Sequence, residues 1–116
     1  MTETILLTVP AGARGAGVTA LVLGGLGTRL DIPIDRVDEL TLAAEVVGAL
    51  ACGTRLELEM TVLDDRLLLR IGPLEGGMMA DVERLRVVEP LVDGVASVRR
   101  AGGAWVELEI GRGTQG

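Results

Sequence analysis

The chain offers few side chains that can do chemistry. Its 116 residues include no His, no Lys, no Tyr and no Asn, and all eleven basic residues are Arg. Ser97, Cys52 and Gln115 are each the single residue of their type. Without His there is no Ser-His-Asp or Cys-His arrangement, and without Lys no Schiff base and no P-loop lysine. One Cys and no His leave no zinc site of the usual ligand types and no intramolecular disulfide, which suits a reducing compartment. Acid–base work falls to carboxylates, and anion binding to Arg and backbone N–H groups. Glu45 stands out because it is the only charge between Leu40 and Gly53. It could act as a base on a helix face, or it could be an edge charge paired with an Arg. Cys52, beside Gly53, reads as a small buried side chain rather than a nucleophile, since only carboxylates could activate it. The run Gly12-Ala13-Arg14-Gly15-Ala16-Gly17 reverses the glycine spacing of a dinucleotide turn, and no βαβ unit follows it. Trp105, the only aromatic residue, could anchor a protein partner or pack at a sheet edge.

Composition narrows the partners. A formal net charge of -6 argues against non-specific nucleic-acid binding, and one Trp makes no stacking platform. The longest apolar run, Val18 to Gly27, is about half a bilayer span. The opening Met1-Thr2-Glu3-Thr4 carries no basic residue of a signal peptide. The expectation is one soluble cytoplasmic domain over residues 1–116, with no membrane and no nucleic-acid partner. Richness in Arg, Ala, Gly and Val without Lys or Asn would also follow from a GC-rich genome, so the absent types have a compositional cause as well.

The elements that must position these residues follow from periodicity. Ile5 to Val9 is β-rich and stops at Pro10, which predicts a first strand. Val18, Leu21, Val22, Gly25 and Leu26 recur at helical spacing and predict a helix over about 15–30. Small residues there would let another backbone approach. Asp35 is a plausible N-cap for a second helix. Val37, Leu40, Ala44, Val47 and Ala51 form one face of it, with a second apolar strip of Leu42, Ala43, Val46 and Leu50, ending at Gly53. Arg55 to Val62 alternates strictly, Leu63-Asp64-Asp65 turns, and Arg66 to Ile71 returns. After a loop with Met78-Met79, Asp81 could cap a third helix carrying Val82, Leu85, Val88 and Val92, which Pro90 should kink or end. Val95 to Arg99 and Trp105 to Ile110 read as two last strands, with Trp105 on the polar side, and 111–116 as a disordered tail. The order strand, helix, helix, strand, strand, helix, strand, strand predicts an α+β two-layer sandwich: a mixed five-stranded sheet covered on one face by three helices.

This order resembles the histidine-kinase-like (GHKL) ATP-binding fold, and among its members the anti-sigma-factor serine kinases of the RsbW/SpoIIAB type. Leu6-Leu7-Thr8-Val9-Pro10-Ala11 is similar to that family's opening strand, and Ile34 to Ala43 to the run leading into its N-box. Leu91-Val92-Asp93-Gly94-Val95, then Ala101-Gly102-Gly103-Ala104-Trp105-Val106-Glu107-Leu108, resembles its closing segment. The likeness covers residues 4 to 111.

The resemblance implies where a nucleotide site would stand. The family's N-box has a Glu that activates the attacking hydroxyl and, four residues on, an Asn that holds Mg²⁺. Glu45 takes the first place and Ala49 the second; a gapless alignment puts Val46 and Leu50 there instead. Neither Ala nor Leu can offer Mg²⁺ an oxygen. The next box, Asp-x-Gly-x-Gly, binds adenine through its Asp. Here it reads Arg70-Ile71-Gly72-Pro73-Leu74, with a donor-only Arg for the Asp and Leu74 for the second Gly. Gly76-Gly77-Met78-Met79-Ala80 is too short for the family's lid. The expectation is a pseudokinase-like regulator with no cofactor and no metal. It would bind a sigma factor or a STAS-type anti-sigma antagonist, and homodimerise, with Trp105, Arg99 and Arg100 as candidate partner contacts. Two alternatives stay open. One is an active serine/threonine kinase using ATP, Mg²⁺ and Glu45. The other is a sensor whose vacated pocket, near Val46, Val47, Leu50, Ile71 and Leu74, holds an apolar ligand.

Overall fold

The computed structural model describes residues 3–51, 53–74, 85–100 and 103–111. Strand β1 (Glu3–Pro10) leads into helices α1 (Ala13–Arg29) and α2 (Ile34–Gly48). Strands β2 (Arg55–Val62) and β3 (Arg66–Leu74) follow, then β4 (Gly94–Arg100) and β5 (Gly103–Gly111). The strands form one sheet in the order β1-β2-β3-β5-β4, with every neighbouring pair antiparallel. The sheet is therefore not mixed. The last two strands form a hairpin whose second strand inserts beside β3, and that reversal runs it against β3 rather than along it. The result is an α+β fold with its helices on one face.

The helix-facing side of the sheet is the core. Leu56, Leu58, Met60 and Val62 of β2 meet Leu67, Leu69 and Ile71 of β3 and Val106, Leu108 and Ile110 of β5, all buried. The strict alternation of β2 produces this, because side chains two apart share a face. Val88 and Val92 close one end of the core. Residues 85–88 are helical and pass into a 3-10 turn at Glu89–Leu91, where Pro90 stops the α-helix. Asp81, Val82, Met78, Met79 and Cys52 lie outside the described residues.

The helices differ from the periodicity reading in four ways. Pro33, not Asp35, occupies the N-cap of α2, and Asp35 sits in the first turn, where its charge suits the helix dipole. The helix stops at Gly48 rather than Gly53; Leu50 and Ala51 turn tightly back through bonds to the carbonyls of Val47 and Gly48, and Ala51 bridges to Leu74. Leu42, on the second apolar strip, is 49% exposed. The largest difference is in α1. Its buried residues are Gly15, Thr19, Leu23, Leu26 and Gly27, while Val18 and Leu21 stand 40% and 79% exposed and Gly25 is exposed too. An apolar residue on every side of α1 left the pattern unable to choose a face.

Backbone proximity does choose it. Gly12, at φ +99°, turns the chain from β1 into α1 in a conformation that L side chains rarely adopt. A Cβ on Gly15 would collide with the Pro10 carbonyl oxygen, and one on Gly27 with the Val37 side chain. These two contacts press α1 onto the end of β1 and onto the start of α2. Asp93 ties the far end of the sheet: its Oδ1 pairs with Arg36 at 2.8 Å and its Oδ2 accepts the Gly111 N–H at 2.6 Å. Gly111 is thus part of β5, not of a tail.

Candidate functional site

Helices α1 and α2 are antiparallel neighbours held close at their connection by Gly27 against Val37. At the other end, where α1 begins and α2 finishes, they border a solvent-open cavity of about 560 Å³. Ala13, Ala16, Gly17 and Ala20 of α1 form one wall, and Ala44, Glu45, Gly48 and Ala49 of α2 the other. Leu56 and Leu58 of β2 contribute the floor. The size falls within the range of small-molecule sites, about 300–1,000 Å³.

Glu45 and Ala49, the two candidate N-box positions, do share this wall. Their spacing of one helical turn places them together. Among the described residues Glu45 makes no ion pair, and no cation lines the cavity. Thr19 and Thr41 also line it, but their hydroxyls donate to the carbonyls of Gly15 and Val37, both at 2.8 Å. The pocket expected around Val46, Val47, Leu50, Ile71 and Leu74 is not where the opening lies. Val47, Ile71 and Leu74 are packed in the core, with Val46 and Leu50 against it. The signal for the actual cavity was the run of Ala and Gly at helical spacing on two helices, Ala13-Ala16-Gly17-Ala20 and Ala44-Gly48, which leaves room where larger residues would meet.

Arg70 is not in that site. It lies on the opposite face of the sheet, where its guanidinium pairs with Glu107 at 2.8 Å and Glu59 at 3.4 Å. The register explains this: Arg70 stands across from Glu59 and Glu107, whereas its neighbours Leu69 and Ile71 face the helices. Arg70 therefore carries no information about an adenine pocket. Gly72 is on the same outer face and serves another purpose. With no side chain, it leaves space for the Trp105 ring, which would lie within 2.7 Å of a Cβ there.

Of the two readings open for Trp105, an exposed anchor or packing at a sheet edge, the structure shows packing: the residue is only 6% exposed. Arg100 closes over it, with its guanidinium carbon 4.6 Å from the ring centroid, a cation–π contact. The same guanidinium then reaches Glu59 with two bonds, 2.8 and 3.0 Å. Arg99 and Arg100 are not a pair, because alternation turns them to opposite faces: Arg99 is exposed and lies across from Ala104, Arg100 across from Gly103. Glu59, Arg70, Glu107 and Arg100 thus form one ion network over the outer sheet face. The Arg100 hydrogen bonds, followed by the charges of Arg100 and Arg70, hold the Glu59 carboxyl below the usual carboxylate range against the opposing effect of burial. A depressed folded-state pKa stabilises the protein above the unfolded value and is lost as pH falls through the folded one. Stability from Glu59 is therefore complete above about pH 4.5 and declines below it. In Glu59→Gln, urea midpoints measured from pH 6 down to pH 3 should fall less steeply than in the wild type; equal slopes would contradict the network.

No model of a known protein family matches the sequence, and no curated protein matches it significantly. Among the described residues no helix is long and apolar enough to cross a membrane, and no group of His, Cys, Asp or Glu is placed to hold a metal.

Proposed function

We propose that the chain is a regulatory protein-binding domain, related to the anti-sigma-factor serine kinases but working without nucleotide chemistry. The observation that carries the reading is the outward face of α1. From Gly15 to Thr28 the helix has no charge, and its solvent side presents Val18 and Leu21 beside Gly24 and Gly25. A Cβ on either of those two glycines would meet nothing, so among the described residues no group covers this face. A helix apolar on all sides is ordinarily buried on more than one, and exposed apolar surface of this kind marks interaction sites. The missing oxygen at Ala49 supports the non-catalytic part, since the wall that would hold Mg²⁺ offers a single carboxylate, Glu45.

By the family resemblance the partner is a sigma factor or a STAS-type antagonist, the setting is the cytoplasm, and a homodimer is expected. Leu21→Arg should weaken capture of such a partner by at least tenfold, about 1.4 kcal/mol, with the unfolding midpoint unchanged. Unchanged affinity would remove α1 from the interface. The kinase reading is favoured by one observation, the placement of Glu45 on a cavity wall. It requires transfer of phosphate from ATP to a partner Ser or Thr, abolished by Glu45→Ala.

A further inference from the structure

The cavity between the splayed ends of α1 and α2 is a formed space that protein binding through the outer face of α1 does not use. Its walls are Ala, Gly, Leu and Pro except for three polar side chains. Two of these, Thr19 and Thr41, spend their hydroxyl hydrogens on carbonyls of their own helices. The third, Glu45, is the only charged residue in the lining and has no cation partner among the described residues. A carboxylate only accepts hydrogen bonds, so polar recognition here needs a donor on the ligand, best a charged one. An anionic ligand, a nucleotide included, would meet a carboxylate with no compensating cation in the wall.

From this juxtaposition we infer that the cavity binds a small apolar molecule bearing one cationic amine, its hydrocarbon body between Ala16, Ala20, Ala44 and Leu56 and its ammonium on Glu45. Glu45 is then a ligand-binding residue rather than a relic of a base.

The test uses the full chain labelled with ¹⁵N and three probes of one shape: cyclohexylmethylamine, cyclohexylmethanol and cyclohexanecarboxylate. Amide shifts at Ala16, Ala20, Ala44 and Ala49 should saturate with the amine. The amine should bind about tenfold tighter than the alcohol, and the carboxylate weakest of all. Glu45→Gln, at an exposed position, should reduce the amine to the alcohol's affinity. Ala16→Leu, which fills the space, should weaken amine and alcohol together, and the spectra themselves show that both variants are folded. Equal binding of the three probes overturns the assignment. So do shifts that fail to saturate or fall elsewhere, amine preference that survives Glu45→Gln, and binding that survives Ala16→Leu.

Discussion

Trp105→Ala is expected to destabilise the protein by about 3–5 kcal/mol, the cost of removing a large aromatic side chain from a packed site. The ring sits on Gly72 of the adjoining strand and is 6% exposed. Its removal also strips Arg100 of the surface on which it lies before reaching Glu59. A Trp anchoring a partner from an exposed position would behave differently: its loss would leave stability within about 0.5 kcal/mol and affect only binding. Urea denaturation followed by far-UV circular dichroism separates the two cases. Since Trp105 is the only aromatic residue, its fluorescence in the wild type reports the same environment, and the emission should shift to the red on unfolding. Reduced partner capture by Trp105→Ala would then be an effect of folding, not of a lost contact.

Gly15→Ala is expected to cost about 3 kcal/mol, the upper end for overpacking, although it improves helix propensity by about 1 kcal/mol. The propensity gain loses because the new Cβ collides with the backbone oxygen of Pro10 rather than with the end of a flexible side chain. The chain must then lift the start of α1 off β1, which also widens the cavity wall at Ala13 and Ala16. Gly17→Ala, two residues on, supplies the control: its Cβ meets nothing, so only the propensity term remains and stability should rise. Denaturation midpoints that move in the same direction for both variants would contradict the packing of α1.

The parts of the fold that were legible in the sequence are those where one physical rule decides. Arg55–Val62 alternates without interruption, and β2 occupies that range with Leu56, Leu58, Met60 and Val62 buried. Helix α1 was legible as a helix but not in its orientation. Val18 and Leu21 are as apolar as Leu23 and Leu26, and the steric contacts of Gly15 and Gly27 that choose the buried face involve residues on other elements. Alternation placed Trp105 correctly on the outer face of the sheet but left open whether anything covers it. What covers it there, an empty place at Gly72 and an arginine from β4, depends on strand order. Arg70 shows the same limit. Aligned to a motif it looked like a substituted adenine contact, yet the register of β3 turns it away from the helices and into the pairs with Glu59 and Glu107.

The juxtaposition of Glu45 and Ala49 needs only helical spacing and was legible for that reason, whatever role the two residues have. Glu45 and Ala49 do share a cavity wall. The non-catalytic part of the account rests on what that wall can hold: a carboxylate at Glu45, a methyl group at Ala49 and, among the described residues, no cation. The most direct measurement is an isothermal titration of the full chain with ATP and Mg²⁺. No binding heat at millimolar nucleotide is the predicted result. Saturable binding with micromolar affinity, which corresponds to about −8 kcal/mol, would contradict it and make the chain a nucleotide-binding protein.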